Sequence, residues 1–113
     1  MVQADPRPTR NKFGFGVFVI VGFACGRLTA ENFIGANLQG SNLEGCFGGS
    51  AIFGQANLEG INLARTFFIK ADFRNAKLVG ANLAGARLLL ANLEKANLEG
   101  ENLQGANLQL HPW

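Results

Sequence analysis

The chain has 113 residues, 16% of them charged and 48% hydrophobic, with a formal net charge of +2. That length suits one small domain, and a conventional globule of this size buries only a limited share of its surface. Its two cysteines, Cys25 and Cys46, make neither a disulfide framework nor a metal-ligand spacing, and they leave the redox compartment open.

Residues 1–12 carry Arg7, Arg10 and Lys12 against Asp5 and read as a basic, disordered N-terminus. Residues 13–30 form an apolar segment that admits two readings. In the first, the basic residues precede a run, FGFGVFVIVGFACG over 13–26, of about the length of a signal-peptide core. That run is short of the ~20 residues of a membrane span. Small residues for cleavage stand at Ala24-Cys25-Gly26 and Leu28-Thr29-Ala30, with Arg27 an unhelpful neighbour. A lipoprotein site at Cys25 fits poorly, because Gly22 and Phe23 stand where an aliphatic residue is expected. In the second reading the segment is a degenerate first coil, since Phe13, Phe18, Phe23 and Leu28 keep a five-residue spacing that continues downstream. The first reading implies an exported or membrane-anchored protein, with membrane association through 13–26. The second implies a cytoplasmic one.

From Glu31 the chain divides into sixteen pentads without a gap: ENFIG, ANLQG, SNLEG, CFGGS, AIFGQ, ANLEG, INLAR, TFFIK, ADFRN, AKLVG, ANLAG, ARLLL, ANLEK, ANLEG, ENLQG, ANLQL. The third place is Leu or Phe in fifteen of them, the first is Ala, Ser, Cys or Thr in thirteen, and the second is Asn or Asp in eleven. A helix cannot use this pattern. At ~100° per residue every fifth side chain lands ~140° beyond a full turn, so the leucines form no stripe. An extended chain can. Side chains alternate, so the first and third places share one face and the second points the other way. Small and large apolar residues therefore face inward and Asn faces outward. The fourth and fifth places turn the corner, and Gly fills the fifth in eight pentads, as a turn position with positive φ requires. Phe33, Phe53 and Phe73 lie 20 apart, as do Gly40, Gly60, Gly80 and Gly100. Stacked positions should resemble one another, so one coil is predicted to hold four pentads and residues 31–110 to hold about four coils. The fold class is all-β, a parallel β-solenoid.

These A-N-L-x-x runs resemble the pentapeptide-repeat proteins, abundant in cyanobacteria and other bacteria. The resemblance covers residues 31–110 and implies a right-handed quadrilateral β-helix. It implies little about activity. One branch of the family resembles B-form DNA in shape and charge and protects DNA gyrase from inhibitors. A mimic of that kind needs a strongly acidic surface, because duplex DNA carries one charge per ~1.7 Å. Residues 31–110 carry six basic and seven acidic residues, a balance of −1, which argues against it. So does the lack of a C-terminal segment long enough to dimerise as those relatives do. The same neutrality argues against a nucleic-acid partner.

No catalytic constellation, cofactor motif or metal-ligand set is present. His111 is the only histidine, in the tail or cap at 111–113, and no Ser or Cys has a partner that would activate it. The expected function is a non-catalytic structural or interaction module; the alternative is an enzyme regulator of the gyrase-protecting kind. Asn42, Asn62, Asn82 and Asn102 are expected to stack as a hydrogen-bonded ladder. Glu31 and Glu101 fill first places that elsewhere hold small residues, and both should reach solvent or a donor. Gly48 leaves a third place empty, and a local bulge is expected to turn Phe47 inward over Phe68. Trp113 falls in the column of Leu93 and is expected to cap the core. The fourth pentad of each coil departs from the rule on its outer surface. Phe67, Ile69, Leu89, Leu90 and Leu110 crowd that side and its following corner, with Arg87 among them. A contiguous apolar patch calls for a partner, so these six residues are the candidate contact face, for a protein partner, self-association or a membrane surface.

Overall fold

A computed structural model describes residues 27–109. Parallel bridges join each second place to the second place 20 residues on, in four series. Side one runs Asn32, Ile52, Asp72, Asn92; side two Asn37, Asn57, Lys77, Asn97; side three Asn42, Asn62, Asn82, Asn102. Side four begins earlier, at Arg27, and runs through Phe47, Phe67 and Arg87 to Asn107. The pairing thus starts four residues before Glu31, and Leu28 is fully buried. Both readings of 13–26, and the expected Trp113 cap, concern residues outside those described.

The repeat follows from where the backbone N–H groups go. Within the pentad Ala51–Gln55, the third-place Phe53 N–H donates to Asp72 O in the next coil, and the fifth-place Gln55 N–H to Arg74 O. The second-place Ile52 N–H donates back to Glu31 O in the preceding coil. The first-place Ala56 N–H closes the turn on Phe53 O at 3.0 Å. Only the fourth-place N–H lacks a backbone acceptor, and an orphaned donor is costly. A second-place Asn or Asp supplies one. Asn62 Oδ1 accepts from Ala64 N at 3.0 Å, Asn82 Oδ1 from Ala84 N at 3.1 Å and Asp72 Oδ1 from Arg74 N at 3.0 Å. Stacking of the Asn column is real, but its hydrogen bonds are of this local kind. The cross-coil bonds among described Asn side chains run to Gln39 and Glu44 rather than to another Asn. This corrects the expected ladder.

Every fifth place from Ala30 to Gly105 has φ between 56° and 75°. That is the third residue of a type II turn, where glycine is unstrained and other residues are not.

First and third places fill the interior. Phe33, Phe53 and Phe73 stack in one column at 5.1 Å between rings, and Phe68 meets Phe53 and Phe73 edge-on at 5.5 and 5.9 Å. The buried Thr66 hydroxyl donates to Leu63 O at 2.8 Å, and no buried side-chain polar atom among the described residues lacks a partner. Glu31 and Glu101 are half-exposed, as their charge demands. Toward the C-terminus the core opens, and Leu98, Leu103 and Leu108 are only partly covered.

The expected bulge at Gly48 is absent. A Cβ on Gly48 would lie 1.9 Å from Phe68 Cε1, so the Phe68 ring from the next coil already occupies that space. Phe47 keeps its second-place register, pairs with Arg27 and Phe67, and stands outward, 50% exposed.

Candidate functional site

Although side one also carries Ile52 at a second place and Gln55, Asn75 and Lys95 at fifth places, side four departs furthest from both rules. Its second places are Arg27, Phe47, Phe67 and Arg87 before the rule returns at Asn107. None of these first four can accept from the fourth-place N–H, so Thr29, Gly49, Ile69 and Leu89 go without the side-chain cap. Its fifth places are Ala30, Ser50, Lys70 and Leu90, all with φ near 60° and none glycine. On side two the equivalent corner is Gly40, Gly60, Gly80 and Gly100. Left-handed backbone costs an L-residue about 1 kcal/mol or more. Side four therefore keeps side chains where Asn and Gly would fold better.

Those side chains form one surface. The Phe47 and Phe67 rings stack face to face, 4.7 Å between centroids and 3° from parallel. The Arg87 guanidinium lies over the far side of Phe67, 5.0 Å from its centroid. Ile69 at 39% and Leu90 at 41% are exposed beside the stack, and Leu89 is half-buried. Of the six residues expected from the sequence, five are brought together here; Leu110 lies outside the described residues. Sequence reasoning left Phe47 out of the set by turning it inward, and left out Arg27 and Lys70. Their column positions, 20 residues from Phe47 or Leu90, were the available signal.

Side one offers a different feature, a depression of ≈ 270 Å³ lined by Ile34, Ile52, Gly54, Gln55, Asp72, Arg74 and Asn75. It exists because Gly54 has no side chain between Ile34 and Arg74. Its charged groups satisfy each other: Arg74 Nη2 donates to Asp72 Oδ2 at 2.8 Å and Arg74 Nε to Oδ1 at 3.0 Å. That bond from Arg74 holds the Asp72 carboxyl below its ordinary value of 3.8. Among the described residues there is no group of His, Cys, Asp or Glu arranged to hold a metal, and no helix long and apolar enough to cross a membrane.

A four-sided solenoid of five-residue steps whose fourth side departs furthest from the repeat defines a class of repeat scaffold that presents a surface. The pentapeptide-repeat family model matches in eight copies over residues 32–47, 51–89 and 86–109, and the chain belongs to that family, whose members are right-handed quadrilateral β-helices. Among solved structures it is similar to alr5209, a pentapeptide repeat protein from Nostoc PCC 7120, with 39% identity and a TM-score of 0.67 over 68% of this chain. The match spans 64% of the length of that protein. It is also similar to Rfr23 from the cyanobacterium Cyanothece 51142, with 31% identity, a TM-score of 0.48, and coverage of 79% of this chain and 67% of that one. A pentapeptide repeat protein of the Arabidopsis thaliana thylakoid lumen is 27% identical, with a TM-score of 0.42 and coverage of 66% and 56%. No curated protein matches the chain in sequence.

Proposed function

We propose that the chain is a non-catalytic interaction module, a tower of four coils over 31–110 whose fourth side is a protein contact face. The observation that carries this reading is the outward Phe47–Phe67 stack, closed by Arg87 and flanked by Ile69 and Leu90. Exposed aromatic and arginine groups of this kind are enriched where proteins bind one another. They stand on the side that has no glycine at its fifth places and no cap at four of its five second places. A regulator acting as a DNA mimic is disfavoured, because residues 27–109 hold seven basic and seven acidic residues.

The test is a photo-cross-linker placed at Ile69 and, separately, at Glu59 on side two, in cells that make the protein. A discrete protein adduct from position 69 that is missing from position 59 supports the contact face. Equal adducts from both, or none from position 69, reject it.

A further inference from the structure

The charges of residues 27–109 are sorted by side. All seven acidic residues belong to sides one to three, with four basic residues among them, two of which, Arg65 and Arg74, pair with Glu44 and Asp72. Side four and its corner hold Arg27, Lys70 and Arg87 and no acidic residue. None of these three takes part in an ion pair among the described residues. Within residues 27–109 the apolar face is therefore also the cationic face, and the other three sides together are acidic.

From this we infer that the occupant of side four is an acidic segment of another protein, extended along the tower, with two carboxylates four residues apart and an apolar side chain between them. This rests on the contact-face reading above. The spacing comes from the column Arg27, Phe47, Phe67, Arg87, whose ends are three coil steps apart, ~14 Å at ~4.8 Å per step. An extended segment advances ~13 Å in four residues at ~3.3 Å each, and its first, third and fifth side chains share a face. Carboxylates at the first and fifth then meet Arg27 and Arg87, and the apolar third lies on the Phe47–Phe67 stack.

Charge also argues against two rival occupants. A second copy pairing side four with side four brings two sets of three cations together with no carboxylate between them. A bilayer-inserting face buries its apolar groups ~5–10 Å into the boundary of head groups and chains, with its cations on a separate polar face. Here arginines share the column with the phenylalanines, and the Arg87 guanidinium covers the Phe67 ring instead of leaving it as a wedge.

The test pans a displayed library of random dodecapeptides against the purified full chain. The inference expects enriched peptides to carry Asp or Glu at positions i and i+4 around an apolar residue, with affinity falling as salt rises. Arg27→Gln with Arg87→Gln should weaken a selected peptide about tenfold and flatten that salt dependence. Melting should change little, since both side chains are exposed and the Arg87–Phe67 contact lies at the surface. No enrichment, enrichment of neutral or basic peptides, or binding confined to vesicles of 7:3 phosphatidylcholine and phosphatidylserine would overturn it. The two readings fail separately. If Phe67→Ser, Leu89→Ser and Leu90→Ser together abolish peptide binding while the arginine pair is dispensable, the contact face stands and the acidic partner falls. If peptide binding survives that triple substitution, both fall.

Discussion

The Cβ position of Gly48 overlaps the edge of the Phe68 ring, 1.9 Å from Cε1 and 2.3 Å from Cδ1. Gly48→Ala must displace a ring that also packs edge-on against Phe53 and Phe73. Overpacking of this kind costs about 1–3 kcal/mol, and the rigidity of the aromatic column places this case at the upper end. Phe68→Leu should recover part of the loss, so a double-mutant cycle in urea should give clear coupling. Additive effects would show that Phe68 does not fill the Gly48 space. A second residue-scale effect concerns Asp72. Hydrogen bonding from Arg74 lowers its native pKa beneath the unfolded-chain value. The resulting stabilisation is complete above the unfolded pKa and disappears as pH falls through the native one. Arg74→Gln should raise the Asp72 pKa toward 3.8, read by NMR titration of the carboxyl carbon. An unmoved titration would remove Arg74 as the cause.

At the scale of one pentad, the second and fifth places do separate jobs, and substitutions should separate them. Asn62→Ala orphans the N–H of Ala64, which is 2% exposed, and should cost about 1–3 kcal/mol. Asn97→Ala frees the N–H of exposed Glu99, where water can bond, and should cost well under half as much. Equal losses in denaturant titrations would contradict the capping account. At the fifth place, Leu90→Gly relieves about 1–2 kcal/mol of left-handed strain against about 0.4–1 kcal/mol of added unfolded-state entropy. The variant should melt slightly higher than the parent, while its selected peptides bind more weakly. A lower melting temperature would mean that Leu90 packs more than it strains. The pentad geometry was legible in the sequence because first, third and fifth places answer to local rules: small inside, large inside, positive φ at the corner. Phe47 was not legible. What fills the space over Gly48 is Phe68, a contact between coils that no single pentad records. The role of Asn also escaped the pattern. Its column spacing suggests a ladder, and only an account of all five N–H groups reveals the one that needs it.

For the whole molecule, cohesion is uneven along the axis. Coils in the middle bury their third places fully, whereas Leu98, Leu103 and Leu108 are partly open. A solenoid is a chain of nearest-neighbour interfaces, so its weakest end opens first. Amides of residues 96–107 should exchange by local opening, with little dependence on denaturant, while those of 52–73 should track global unfolding. Uniform protection along the chain would argue for a covered C-terminal end. The candidate face was only half legible at this scale. Its apolar residues announce themselves in the fourth pentads, but the sorting of charge by side appears only when positions 20 apart are placed in one column, from Arg27 onward.

The orphaned fourth-place N–H has a consequence for how such a scaffold changes over time. On three sides the backbone dictates the alphabet: an acceptor at the second place in most pentads, and glycine at many corners. Less is left there to vary than on side four. Side four, already released from both demands, can be rewritten pentad by pentad, and each revision disturbs a single five-residue step while the interior columns stay as they are. Stability and recognition are thereby stored in different letters of the same repeat, and new specificities can be sampled on side four without renegotiating the fold.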